Sequence, residues 1–380
     1  MFIKDIFYVY DAEIQEVFLG GIFSRSQIDC AVSKFVSRSR DWSMRLDRSM
    51  LPQRRMKSMD VYRKLMNFEG LTVSAAEFEY GGHSWPEAIA FVDLAATPHE
   101  TADIRLPPCP LIGIGRADHP LSVKLDTVVE SRSEAALLAE AVISQPLAAA
   151  TVVQLLRLLP SLSAEDGLTA ESLAYATLQG SKAHRDWIAR RKIPSGDLIR
   201  GGVSLSRQGD GVVAILARPD AGNAIDRPMR DALYEAFALV NMDSSIPRIT
   251  LRAEGKAFSL GADLGEFGTT TDPATAHMIR SRTLPAREAL RCADRFVAEI
   301  DGAAIGAGLE LAAFASRITA TRRSWFQLPE LAMGVLPGAG GCVSLTRRIG
   351  RQRTALMVLS GRRIGARQAL EWGLVDALVD

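Results

Sequence analysis

From residue 202 onward the chain alternates between short apolar, β-branched runs and helical stretches, and this alternation restricts the fold more than any other feature. Strand-like runs are predicted at GVSLSRQ (202–208), VVAILA (212–217), RITLRAE (248–254), FVAEIDG (296–302), RITATRR (317–323) and LVDALV (374–379). Helical patterns fall between them, as in RPMRDALYEAFALVN (227–241) and RTALMVLSG (353–361). Strands separated by helices predict an α/β core.

The upstream half reads differently. Residues 1–69 are rich in Arg, Ser and Met, and RSQIDCAVSKFVSRSRDWSMRL and MKSMDVYRKLMNF suggest helices. From Phe78 onward EFEYGGHSWPEAIAFVDLA, PLIGIG (110–115) and VKLDTVVE (123–130) read as short strands around Gly and Pro turns. Helical stretches follow at 133–158 and 164–192. The basic, Pro- and Gly-containing segment RRKIPSGDLIRGG (190–202) marks the expected boundary. The chain of 380 residues is long enough for two cores, so two domains are expected. The first, 1–195, is a mainly helical α+β domain, and the second, 201–380, carries the α/β alternation.

Charge narrows the partners. Basic and acidic side chains number 45 and 44, for a net charge of +1, which leaves no global field for nucleic acid or an anionic membrane. An anionic ligand must therefore be held by local groups. Cys30, Cys109, Cys292 and Cys342 are scattered without disulfide or metal spacing, which predicts reduced thiols and no metal site. Lys4, Asp5, Asp11, Glu13 and Glu16 interrupt the apolar start, unlike a signal peptide, and no run of about 18 apolar residues occurs. A soluble, cytoplasmic protein is expected.

Three segments carry chemistry. In IDGAAIGAGLELAAFAS (300–316) a strand ends at Asp301-Gly302, a small-residue turn follows, and a helix starts near Ala307. Gly306 and Gly308 let a ligand approach the backbone, and the N–H groups of that helix start favour negative charge. A helical glutamate is ordinarily a solvated one. Glu310, however, is flanked by Leu309, Leu311, Ala312 and Ala313, so it is expected to be buried and to have a job or a partner. In SWFQLPELAMGVLPGAGG (324–341), Glu330 is again a lone acid, placed either for chemistry or to cap the next helix. Two carboxylates in one low-dielectric pocket raise at least one pKa, which provides an acid and a base near neutral pH. In EGKAFSLGADLGEF (254–267), the turn Gly261-Ala262-Asp263 offers a backbone N–H that, with the one at Ala307, makes two donors for a developing oxyanion.

Together these segments resemble the crotonase superfamily, the enoyl-CoA hydratase/isomerase group. The resemblance runs from RPDAGNAID (218–226) through KAFSLGAD, GAAIGAGLE and FQLPELAMGVLPGAGG to SGRRIGARQALEWGLVD (360–376). It implies a spiral of ββα units assembled as a homotrimer or hexamer, with acyl-CoA as substrate and no separate cofactor. By resemblance, Ala262 and Ala307 form the oxyanion hole, and Glu310 and Glu330 act on water. Lys256, Leu260, Gly261, Asp263, Gly306, Gly308, Pro337 and Gly338 line the CoA and acyl path. The reaction implied is addition of water to, or movement of, the double bond of an acyl-CoA. Thioester hydrolysis, cofactor-free oxygenation and non-catalytic acyl-CoA binding are the alternatives.

Two departures accompany the resemblance. Ala307 and Leu260 stand where the family has smaller residues. The family also continues beyond the position of Asp380 with C-terminal helices, so pocket closure and assembly are expected to differ here. Upstream, LPPCPLIGIGRADHPL and ESLAYATLQGSKAHRDW resemble the branch containing the cofactor-free dihydroxyphenylacetyl-CoA dioxygenase. Other features are read plainly. GIGRAD (113–118) lacks the third glycine of a dinucleotide loop and is expected to be a turn. Arg280 and Arg282 are expected on a solvated insert, and Trp187, Trp325 and Trp372 in the core.

Overall fold

The computed structural model describes residues 71–73, 88–98, 104–192 and 199–380. The helices expected within 1–69 lie outside the described residues, as do 193–198 of the expected linker. Leu65–Asp380 form one compact unit.

The upstream part opens with a parallel sheet of β1 (Ala90–Asp93), β2 (Leu111–Ile114) and β3 (Thr127–Val129). VKLDTVVE is therefore strand only at its end, because Pro120 starts a 3-10 helix that runs to Lys124. Four helices follow: α1 (Arg132–Ser144), α2 (Pro146–Leu158), α3 (Ala164–Gln179) and α4 (Lys182–Arg190). Each expected long helix divides in two for a local reason. Pro146, which has no N–H to give, begins α2, and the Ser181 hydroxyl accepts the His184 N–H to start α4 afresh. Ser131 and Ser163 cap α1 and α3 in the same way.

Downstream, β4 (Val203–Gln208) and β5 (Gly211–Leu216) form a hairpin, followed by α5 (Arg227–Met242) and β6 (Ile249–Ala253). Then come α6 (Pro273–Thr283), α7 (Pro285–Arg291), β7 (Phe296–Ile300), β8 (Ala303–Ile305) and α8 (Ala307–Ala312). The chain continues through β9 (Arg317–Thr321), β10 (Trp325–Gln327), α9 (Gly341–Ile349) and α10 (Arg351–Ser360). It ends with β11 (Ile364–Gly365), α11 (Ala366–Glu371) and β12 (Ala377–Val379). Six strands make one sheet in the order β12-β9-β7-β6-β5-β4, parallel except for the β4–β5 hairpin. A second sheet has the order β11-β10-β8. This is the crotonase-like α/β architecture.

The small-residue stretch after Gly302 is not only a turn, since Ala303–Ile305 pair in parallel with β10 as β8. The core lies between the large sheet and its helices, with Phe237 of α5 edge-on to Phe296 of β7 at 4.8 Å. The tryptophans are not core residues. All three are half-buried, with Arg363 over Trp325, Arg353 over Trp372, and Trp187 stacked on His184. Cys109, Cys292 and Cys342 are buried free thiols. Among the described residues, no single helix is long and apolar enough to cross a membrane.

The upstream sheet is tied to the downstream helices through Asp126, which is 1% exposed. Its carboxylate accepts the Leu111 N–H at 2.8 Å, is held by two Arg157 nitrogens at 2.8 and 2.6 Å, and lies 3.4 Å from Arg351 of α10. Removing it leaves two guanidinium groups without their counter-ion. Asp126→Ala should therefore cost about 3–5 kcal/mol of stability, the range for breaking a buried ion pair. Urea denaturation reads this directly, and a midpoint equal to wild type would contradict it.

Candidate active site

The oxyanion-hole prediction depends on where two backbone N–H groups point. Ile225 bridges Ala262 as in a parallel strand pair, giving its N–H to the Gly261 carbonyl and accepting from the Asp263 N–H. Extended backbone alternates direction at each residue, so the Ala262 N–H is turned away from Ile225. Ser259 pairs with β8, donating to the Ala303 carbonyl and accepting from the Ile305 N–H, which lays the Gly261 turn against Gly306. Gly306 has φ 46° and ψ −127°, a conformation that only glycine adopts readily, and it starts α8 at Ala307. As the first residue of a helix, Ala307 has no preceding turn to accept its N–H. Neither Ala262 nor Ala307 donates to a described residue, and both line one cavity of about 170 Å³. Ile225, Leu233, Leu284 and Leu311 supply its apolar wall.

Glu310 and Glu330 are both buried, the first only 2% exposed. Oε2 of Glu310 accepts the N–H groups of Ala339 at 2.7 Å and Gly341 at 2.9 Å, in the turn that begins α9. Burial pushes its pKa from 4.5 up to about 7, against the pull of those two bonds. Glu330 opens a 3-10 helix (Glu330–Met333) that has no side-chain cap at Pro329. Oε1 lies against Gly306, and Oε2 is buried without a hydrogen-bond partner. Burial first, and then the neighbouring Glu310, raise its pKa well above the usual carboxylate range. Glu310, twenty residues away in sequence, thus lies close enough to raise the pKa of Glu330.

The other expected residues divide. Gly261, Gly306 and Gly308 lie at the paired turns: a Cβ on Gly261 would sit 3.2 Å from the Ile305 carbonyl, and one on Gly308 would collide with Ser259. Pro337 and Gly338 belong to the turn that holds Glu310, with Gly338 directly under the Tyr175 ring. Lys256 and Leu260 are exposed, Leu260 at 47%. Asp263 differs from expectation. Its carboxylate accepts the Gly265 N–H at 2.8 Å and pairs with Arg218 at 2.7 Å, so it braces the Ala262 turn instead of facing a ligand.

Sequence reasoning missed what α3 brings. Glu171, 1% exposed, accepts the N–H groups of Gly340 at 2.7 Å, Cys342 at 2.9 Å and Val343 at 3.3 Å. Tyr175, one turn later, packs on Gly338, and its pKa is raised by burial, with Glu310 and Glu330 contributing. Arg280 is not solvated. It lies 4.5 Å over the Tyr175 ring and bonds the Ser172 hydroxyl, the Ser172 carbonyl and Gln179. The one available signal was a lone acid and a tyrosine spaced i, i+4 in ESLAYATLQ.

Similarity to known proteins covers the same region. Residues 207–380 match the enoyl-CoA hydratase/isomerase family. The 2,3-dehydroadipyl-CoA hydratase of Escherichia coli is 34% identical over 172 residues, covering 45% of this chain and 67% of that protein. The mevalonyl-coenzyme A hydratase of Beauveria bassiana is 34% identical over 44% of this chain and 63% of its own length. A crystal structure of enoyl-CoA hydratase from Thermoplasma volcanium is 33% identical, covering 47% of this chain and 71% of that one, with a TM-score of 0.42. The chain spans about two thirds of the length of the curated relatives it matches. With this order of motifs and this level of identity, the chain belongs to the enoyl-CoA hydratase/isomerase family.

Proposed function

We propose that this protein adds water across the α,β double bond of an acyl-CoA thioester. The observation that carries the reading is the contrast between two neighbouring buried carboxyls. Glu310 rests on two N–H groups, whereas Glu330 has an oxygen with no partner. A charge on Glu330 would be poorly compensated, so Glu330 is the neutral acid and Glu310 the carboxylate base.

The thioester oxygen accepts the N–H groups of Ala262 and Ala307, which draws electron density toward it and makes the β carbon electrophilic. Glu310 takes a proton from water as the water oxygen bonds to that carbon. The enolate-like charge is stabilised at the two N–H groups, each worth about 2.7–4 kcal/mol where single oxyanion donors have been removed. Glu330 delivers its proton to the α carbon. The product is a 3-hydroxyacyl thioester, and proton exchange with solvent resets the two acids. Water and thioester suffice, with no further cofactor.

The hydratase relatives act on CoA thioesters by name, which supports an acyl-CoA substrate, and the apolar cavity wall supports a compact acyl tail. The family resemblance supports a homotrimer or hexamer. The deciding experiment is mass spectrometry of a panel of enoyl-, hydroxyacyl- and arylacetyl-CoA esters after incubation with the protein. A gain of one water on an enoyl-CoA is expected. An unchanged mass with a moved double bond, a gain of oxygen or loss of CoA would replace hydration by isomerisation, oxygenation or hydrolysis.

A further inference from the structure

The turn 339–343 is held by two carboxylates from opposite halves of the chain. Five successive N–H groups are shared between them: Ala339 and Gly341 go to Glu310, and Gly340, Cys342 and Val343 go to Glu171. The turn passes so close to Glu310 that a Cβ on Gly341 would collide with the Glu310 Cγ. Moving the turn therefore moves Glu310.

On the hydratase reading above, we propose that Glu171 is a positioning residue for Glu310: α3 reaches into the site and fixes the turn from which the catalytic base is suspended.

The anchoring of α3 supports this. Arg280 of α6 grips Ser172 and Gln179, His277 meets the Ser172 hydroxyl at 2.9 Å, and Arg287 of α7 bonds Glu165 and Thr169. These contacts lie on either side of Glu171 and prevent α3 from shifting along the turn. The charged and titratable groups that interact electrostatically with Glu171 are Glu310 on α8, Glu330 at the 3-10 turn, Cys342 on α9 and Arg280 on α6. Burial and Glu310 raise the Glu171 pKa, while its three N–H bonds lower it. The net direction is upward, well above the usual carboxylate range, although every hydrogen bond to Glu171 comes from a backbone N–H donor.

The test uses the full chain and Glu171→Gln, which preserves size but turns an N–H₂ toward backbone donors. A kcat loss of about 10²-fold is expected, the cost of a small misplacement of a reacting group, with KM for the enoyl-CoA little changed. In the Glu310→Gln background the same substitution should have almost no further effect on kcat. A plain helix cap would instead lower stability, leave kcat per folded molecule intact and add independently to Glu310→Gln. A second readout needs no turnover. The Glu310 carboxyl, followed by infrared difference spectroscopy against Glu310→Gln, should titrate at higher pH in Glu171→Gln, because a displaced turn weakens the Ala339 and Gly341 N–H bonds that hold its pKa down. If Glu171→Gln does not fold, Glu171→Asp, which keeps the carboxyl on a shorter arm, should lower kcat with KM little changed. An unchanged Glu310 midpoint together with wild-type kcat overturns the proposal. If wild-type protein hydrates no enoyl-CoA, the hydratase reading fails separately, and the infrared titration still decides the role of Glu171.

Discussion

Glu310→Gln should lower kcat by about 10²–10⁴-fold, the range for losing a general base, while KM changes little. Glutamine retains an oxygen to accept the Ala339 and Gly341 N–H groups, so the turn keeps its cradle and the lost function is proton abstraction. The wild-type profile follows from the same group. Glu310 must be ionised to act and its pKa is about 7, so kcat/KM should fall as pH drops through 7. Stability runs the other way. Folding raises this pKa from 4.5 to about 7, so the folded state binds the proton more tightly than the unfolded one. Its stabilising contribution is present below pH 4.5 and lost as pH rises through 7. Above pH 7 the glutamine variant should melt no lower than wild type. Wild-type turnover in this variant, or a marked drop in its Tm at pH 8, would remove Glu310 from the mechanism.

The second large effect is expected at Gly306→Ala. A side chain at φ 46° and ψ −127° is strained, at about 1–3 kcal/mol, and the new Cβ would lie 2.5 Å from Oε1 of Glu330. Something must move, and the neighbours are the acid Glu330, the Ala262 turn and the Ala307 N–H. We expect a Tm decrease together with a kcat loss of about 10²-fold or more. Gly373→Ala is the control. Its φ of 75° is also positive, but nothing lies within 4 Å of an added Cβ, so stability should fall while kcat holds. Equal activity in the two variants would show that the close approach at Gly306 does not matter.

Much of the site was legible because its signals are local. Glu310 and Glu330 stand alone among apolar neighbours, and a buried acid is costly enough to be conspicuous in a sequence. Gly306 and Gly261 mark turns that a side chain would obstruct. The strand-and-helix alternation after residue 202 reappears in the large sheet, whereas upstream Pro120 and Pro146 start helices that the apolar pattern did not mark. The misread residues are amphipathic or charged ones whose setting comes from distant chain. Arg280 follows a polar stretch and looks solvated, yet α3 lies 101–108 residues away and takes up its guanidinium. The tryptophans read as core, but arginines cover two of them near the surface.

The sequence by itself determined the α/β alternation, the two lone glutamates and the glycine turns that can expose N–H groups. It did so because apolar periodicity, buried charge and positive φ are each imposed by a few neighbouring residues. Only the tertiary structure decided how the glutamates differ, since that depends on which one the 339–343 turn can reach. It also decided that Glu171 belongs at the site. In its own helix Glu171 is one acid among three, with Glu165 and Asp166, and its surroundings come from N–H groups 169–172 residues away.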